Sequence, residues 1–314
     1  MSTLHQNAIE SANERIHSFI HQTPLLSSES INQLADAILL FKCENFQKIG
    51  AFKMRGAANA ILQLKGDASI KGITTHSSGN HAQAVALAAK KAGFKAKIVM
   101  PSNAPKVKVA AVKGYGAEVV LCEPNLQARE DGVEKIIKED GFAFVHPYDN
   151  WEVIYGQATC AKEIYETEKN IDFILVPIGG GGLMAGSILS TLAYSPTTKI
   201  IGCEPKGADD AYQSWKSGKH IPQTNPQTIA DGLLTSVGTI NFPIIMDNVT
   251  EIFTVTDEEI VNAMRIIYER LKIVIEPSCA VPLAVVLANK EYFKGKRLAL
   301  ILTGGNVDLK ELPF

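Results

Sequence analysis

An alternation that begins at Gly72 narrows the fold more than any other feature. Short β-rich runs, Gly72 to Thr75, Ala96 to Met100 and Glu118 to Cys122, are separated by helical stretches from Asn80 to Ala92 and from Pro105 to Lys113. A parallel strand pair needs a crossover of roughly a dozen residues, and these helices supply it. The alternation resumes with helix-like Trp151 to Lys169, strand Phe173 to Pro177, a glycine loop, helix Leu183 to Leu192 and strand Lys199 to Glu204. Strand Ile252 to Val255 follows, then a helix capped by Thr256, a helix from Pro277 and a last strand, Arg297 to Leu302. The expected fold is α/β, in two lobes, each an open, mostly parallel sheet with helices on both faces. A chain of 314 residues has room for both.

Composition excludes several functions. The 31 Lys+Arg against 33 Asp+Glu leave a net charge of −2, so a strongly basic nucleic-acid binder is ruled out as a whole-chain description. The longest apolar stretch, Ala280 to Ala288, is broken by Pro282 and falls far short of the ~18 residues that span a bilayer. The first twenty residues carry Glu10, Glu14 and Arg15 and lack a signal-peptide core, so the expectation is a cytoplasmic protein with no membrane partner. Five scattered cysteines, Cys43, Cys122, Cys160, Cys203 and Cys279, form no C-x-x-C pair and read as reduced.

Four clusters carry chemistry. Gly179-Gly180-Gly181-Gly182 lies between a strand and a helix, where backbone amides and the helix N-terminus suit a phosphate. Gly180, Gly182 and Ala185 also fit G-x-G-x-x-G/A, with Glu204 about twenty residues on, so a dinucleotide-binding oxidoreductase stays open at this point. Lys53, within Gly50 to Ala57, opens a helix; alone, a lysine is most often a solvated surface residue. Ser77-Ser78-Gly79-Asn80-His81 follows a strand and precedes a helix, which suits a carboxylate or a plain N-cap. Thr303-Gly304-Gly305-Asn306 ends the last strand, at the carboxyl edge where open α/β sheets bind ligands.

In this order the clusters resemble the pyridoxal-phosphate enzymes of the tryptophan synthase β-like fold, fold type II, and within them the serine racemase and serine/threonine dehydratase branch. The resemblance runs through Gln22-Thr23-Pro24-Leu25, Lys42-Cys43-Glu44, Phe52 to Gly56, Ser77 to His81, His146-Pro147, Gly156-Gln157 and Gly179 to Gly182. It continues through Glu204-Pro205, Ala230-Asp231-Gly232 and Glu276-Pro277-Ser278 to Thr303 through Asp308. Two departures stand out: Ala51 where Ser or Thr commonly precedes Phe-Lys, and Cys279-Ala280 where Gly-Ala or Ala-Gly is usual.

The resemblance implies a large cofactor-binding domain over 1–68 and 150–314, and a small domain over 69–149. It makes Lys53 the Schiff-base lysine and the base that takes the α-proton. Phe52 would pack on the pyridine ring, Asn80 bond its hydroxyl, Gly179, Gly180, Gly181 and Gly182 take the phosphate, and Thr303 meet the ring nitrogen. Ser78 would stand on the opposite face, as a second acid/base in a racemase or a substrate contact in a dehydratase. Ser77, Ser78, Gly79, Asn80 and His81 would hold the substrate carboxylate. Glu204, the Ala208 carbonyl and Asp210 would hold Mg²⁺, or Ca²⁺ or Mn²⁺.

The expected activity is an ammonia-lyase that turns L-threonine or L-serine into the 2-oxo acid and ammonia. Serine racemisation and dehydration of 3-hydroxyaspartate are the alternatives, and Thr235 and Arg129 lie in segments that could reach the β-substituent. A nicotinamide-binding oxidoreductase is disfavoured because it leaves the other clusters idle. Family analogy adds a homodimer and a nucleotide effector at a subunit interface. With the chain ending at Phe314, no regulatory domain is expected.

Overall fold

The computed structural model describes residues 2–314. Among the described residues ten strands form two sheets. They are β1 (Leu25–Leu26), β2 (Ile38–Cys43), β3 (Gly72–His76), β4 (Lys95–Pro101), β5 (Glu118–Cys122), β6 (Phe142–Phe144), β7 (Phe173–Pro177), β8 (Lys199–Pro205), β9 (Glu251–Val255) and β10 (Arg297–Leu302). The larger sheet runs β1-β2-β10-β7-β8-β9 and the smaller β5-β4-β3-β6. Every pairing is parallel except β1 with β2.

The helices are α1 (Ser2–Ile16), α2 (Glu29–Ala35), α3 (Lys53–Gln63), α4 (Asn80–Ala92), α5 (Lys106–Gly114), α6 (Leu126–Asp140) and α7 (Trp151–Thr167), followed by α8 (Gly182–Tyr194), α9 (Asp210–Ser217), α10 (Asn241–Asn248), α11 (Asp257–Leu271), α12 (Pro277–Ala288) and α13 (Lys290–Phe293). All five residues of β7 are buried, as are five of six in β2 and in β10. Strands covered on both faces read as continuous apolar runs rather than alternating ones, and these do. Thr256 caps α11 in a full capping box with Glu259, and Asp257, Glu258 and Glu259 fill its first turn.

Inserting β10 between β2 and β7 places three carboxyl ends side by side, with Cys43, Leu302 and Pro177 at their tips. The chain segments that leave these ends build one face of the site. Those leaving β3 and β6 in the smaller sheet build the other. All five cysteines are free thiols; four are buried and Cys122 is partly exposed. Among the described residues no helix is long and apolar enough to cross a membrane.

Candidate active site

Lys53 is the first residue of α3, and the turn before it is stitched to the end of β10. Phe52 donates its N–H to the Thr303 carbonyl (2.9 Å), Gly305 donates to the Gly50 carbonyl (2.9 Å), and Ala51 bridges to Gly304. Backbone pairing alone therefore brings two of the sequence clusters, over 240 positions apart by their numbers, into contact. The Lys53 amine donates to the Pro147 carbonyl (2.9 Å) and lies 5.1 Å from the Phe52 ring centroid and 6.0 Å from that of Tyr148. Burial lowers its pKa to about 8, against the Glu276 carboxylate, which pulls it upward.

The glycine loop leaves β7 and enters α8 at Gly182, and all four glycines are buried. Gly181 has a positive φ of 86°, and a Cβ on Gly180 would lie 2.2 Å from the Tyr148 ring. Side chains are thus excluded here by backbone conformation and by contact. Among the described residues, the N–H groups of Gly179, Gly180, Gly181 and Gly182 donate to no protein acceptor. Buried amides without acceptors are rare in proteins, and a cluster at a helix N-terminus is a fitting cradle for a phosphate.

The Ser77 to His81 loop leaves β3. Its cap residue is Gly79, with no side-chain cap bond, so the plain N-cap reading of Ser78 or Asn80 is not what the structure shows. Ser77 Oγ accepts from the Gly79 N–H (3.2 Å). Asn80 donates to both oxygens of Glu276 (2.9 and 3.1 Å) and accepts from Asn306 (2.8 Å). His81 is buried, with Nε2 on the Val145 carbonyl (3.1 Å) and Nδ1 without a partner among the described residues. Burial and the nearby Lys53 charge hold it well below the usual histidine range. Thr303 is nearly buried, with Cys279 Sγ 3.5 Å from its hydroxyl.

Two residues with no assigned role in the sequence reading enter here. Glu276 is buried, and burial, aided by the Asp231 carboxylate, pushes it up to about 7 despite the Asn80 hydrogen bond. Its signal was a single carboxylate at the end of the apolar run Ile273-Val274-Ile275. Tyr148 packs its ring on Gly180, stands edge-on to His146 (4.7 Å) and has Thr235 within reach of its hydroxyl. A tyrosine in a connecting segment carried no signal of this.

Glu204 is fully buried and accepts from the amides of Ala211 (3.1 Å) and Tyr212 (2.7 Å), at the start of α9. Both oxygens of its carboxylate thus accept amide protons at a helix N-terminus, where negative charge is favoured. Asp210 accepts from the Val237 amide (3.0 Å) through Oδ2, while its buried Oδ1 has no partner. Burial raises Asp210 to about 6 and, helped by Asp210, holds Glu204 well above the usual carboxylate range. Two crowded carboxylates with an orphaned oxygen and the neighbouring Ala208 backbone fit a divalent cation. Among the described residues no group of three or more His, Cys, Asp or Glu side chains forms a metal cluster, so main-chain oxygen and water would have to complete the shell.

The model of one protein family, pyridoxal-phosphate dependent enzymes, matches residues 16–304. The chain belongs to that family. It is 47% identical over 303 residues to a beta-hydroxyaspartate dehydratase of Paracoccus denitrificans (strain Pd 1222), covering 96% of each chain. It is 46% identical over 319 residues to a serine racemase of Dictyostelium discoideum, covering 99% of this chain and 98% of the relative. The structure of maize serine racemase superposes with a TM-score of 0.95 at 43% identity, over 98% of this chain and 94% of that one. The tryptophan synthase β-like fold and the racemase and dehydratase branch expected from the sequence are both borne out, and with them pyridoxal phosphate as the cofactor.

Proposed function

We propose that this pyridoxal-phosphate enzyme is an ammonia-lyase of β-hydroxy amino acids, acting on L-serine and 3-hydroxyaspartate ahead of L-threonine. The observation that carries the reading is the set of acceptor-free buried amides at Gly179 to Gly182, linked through the Tyr148 ring to the Lys53 amine, whose neighbour Phe52 is bonded to Thr303. Lys53 would carry the cofactor, the glycine amides its phosphate, Phe52 one ring face, and Asn80 and Thr303 its polar ring atoms. When bound, the cofactor supplies a sink for the charge that develops at the substrate α-carbon.

The chain's own groups do the rest. Ser77, Ser78, Gly79, Asn80 and His81 hold the substrate carboxylate at the N-terminus of α4. Lys53, whose pKa burial lowers to about 8, takes the α-proton in its neutral form. The β-hydroxyl then leaves as water with one added proton, and the unsaturated amine hydrolyses to the 2-oxo acid and ammonia. Glu204, the Ala208 carbonyl and Asp210 would hold a divalent cation, Mg²⁺ by preference, whose charge would steady the start of α9.

The place given to 3-hydroxyaspartate rests on Arg129. It is half-buried, among the described residues its side chain donates only to the Asn125 carbonyl (3.3 Å), and its charge reaches His76 and Tyr148. A cation so placed suits a β-carboxylate. Of the substrates expected from the sequence, serine and hydroxyaspartate stand in the names of relatives at 45–47% identity, and threonine in that of a threonine deaminase structure at 41% identity. Serine racemisation is the second reading, with Ser78 as the second acid/base, favoured by a racemase relative at nearly the same identity as the dehydratase.

The test is purified holoenzyme with Mg²⁺, given L-serine, L-threonine and 3-hydroxyaspartate in parallel, with 2-oxo acid and D-enantiomer quantified together. Oxo acid from serine and hydroxyaspartate in excess of D-serine supports the lyase. Dominant D-serine moves the assignment to the racemase, and no product from any of the three rejects both.

A further inference from the structure

Four sequence motifs singled out by the resemblance have no part in the chemistry above: Thr23, Lys42 with Glu44, Arg55 with Gly56, and Gly156. The structure gathers all of them behind Lys53. The Arg55 guanidinium is fully buried and grips two carboxylates at once, Glu44 through Nε (2.7 Å) and Nη2 (2.8 Å), and Glu163 through Nη1 (2.7 Å) and Nη2 (2.9 Å). Nη1 also donates to Thr159 (3.1 Å), so all five N–H groups are used. Lys42 donates to Glu163 (2.5 Å) and to the Thr23 carbonyl (2.7 Å), and the Thr23 hydroxyl donates to Glu44 (2.5 Å). Two cations and two carboxylates make the cluster neutral.

The cluster joins α3 to β2 on one side and to α7 on the other. The two helices meet backbone to backbone: a Cβ on Gly156 would lie 2.6 Å from the Arg55 carbonyl oxygen, and one on Gly56 would lie 2.8 Å from that of Val153. Residues two apart on a helix point in nearly opposite directions, so the side chain of Arg55 anchors the far side of the turn that presents Lys53. Buried ion pairs are poor sources of stability, because desolvation offsets their attraction and apolar replacements often fold as well. Their rigid fork geometry is what an apolar cluster cannot reproduce.

We propose that Arg55 is a positioning residue for Lys53. Its guanidinium, held by Glu44 and Glu163, fixes the rotation and height of the first turn of α3 and so the place of the Lys53 amine at the Pro147 carbonyl and beside the glycine loop. This rests on the reading of Lys53 as the cofactor lysine. Reactions at a bound substrate lose about 100-fold in rate for misplacements near 1 Å, so a small shift in the turn is enough to register.

The test uses the double substitution Arg55→Met with Glu44→Gln, which removes one charge of each sign and leaves the Lys42–Glu163 pair intact. Three quantities are measured: the melting temperature, the pKa of Lys53 in cofactor-free protein by competitive acetylation with peptide mapping, and kcat and KM of the holoenzyme. The expectation is a folded protein whose Lys53 titrates at least ~0.5 unit away from wild type, with kcat down roughly 10- to 100-fold and KM within about 3-fold. Arg55→Lys, which keeps the charge but loses the fork, should fall between the two. A double variant with wild-type Lys53 titration and wild-type kcat overturns the proposal. Should the double variant not fold, Arg55→Lys decides, and unchanged kcat and Lys53 pKa there overturn it equally. Covalent cofactor attachment that survives Lys53→Ala strikes instead at the reading of Lys53, a separate result.

Discussion

Glu276 lies near enough to Lys53 for its carboxylate to act on the amine, and the two are driven toward each other in proton affinity, the amine down to about 8 and the carboxyl up to about 7. Desolvation is the main cause for both, and the Glu276 carboxylate limits how far Lys53 falls. A base that must be neutral to take a proton gains from this near neutrality.

Removing the carboxylate should therefore make Lys53 a weaker proton acceptor at rest. In cofactor-free protein, competitive acetylation should place Lys53 near 8 in wild type and lower in Glu276→Gln. An unchanged or higher value in the variant contradicts the coupling.

Glu276 also makes stability depend on pH in a predictable direction. Its folded pKa of about 7 lies above the unfolded value of 4.5, so its contribution is full below pH 4.5 and is lost as pH rises through about 7. Glu276→Gln does not titrate. Thermal melts of the cofactor-free proteins should show the variant gaining on wild type from pH 4.5 to 7, and a constant difference refutes the shift.

Gly180→Ala places a methyl inside the Tyr148 ring contact at 2.2 Å, so the ring or the loop must shift. Cofactor affinity, followed by equilibrium dialysis, should fall by at least ~100-fold, as tight small-to-large changes displace their surroundings. Binding within a few-fold of wild type excludes the loop as the phosphate site.

Arg129→Met separates the substrates. Loss of a charge-assisted hydrogen bond is worth about 1.5–3 kcal/mol, so kcat/KM for 3-hydroxyaspartate should drop roughly 10- to 100-fold while that for L-serine stays within about 3-fold. Equal losses on both substrates remove the case for a β-carboxylate at Arg129.

Cation binding at Glu204, Ala208 and Asp210 should stabilise the folded protein by mass action. Saturating Mg²⁺ should raise Tm by at least ~3 °C in wild type and not in Asp210→Asn, and equal shifts in both place the ion elsewhere.

Much of this architecture is legible in the residues, and the exceptions have physical causes. Strands Glu118–Cys122, Phe173–Pro177 and Arg297–Leu302 lie where their β-rich runs predict. The three-residue β6 is too short to show a period, and α6 is polar over most of its surface, so neither stood out. The position of β10 between β2 and β7 arises from pairing across more than 250 residues and leaves no local trace. Of the site, Lys53, the glycine loop and Thr303 are readable because each follows a strand or opens a helix. The partner of Asn80 was not readable, since a carboxylate before Pro277 looks like an ordinary helix start until burial and the Asn80 bond are seen.

The most direct measurement is the visible absorbance and mass of pyridoxal-phosphate-loaded wild type and Lys53→Ala after borohydride reduction. The account predicts one cofactor fixed to the Lys53 peptide in wild type, none fixed in the variant, and no 2-oxo acid from the variant with serine or 3-hydroxyaspartate. A cofactor fixed to any other lysine, or normal turnover by Lys53→Ala, contradicts it.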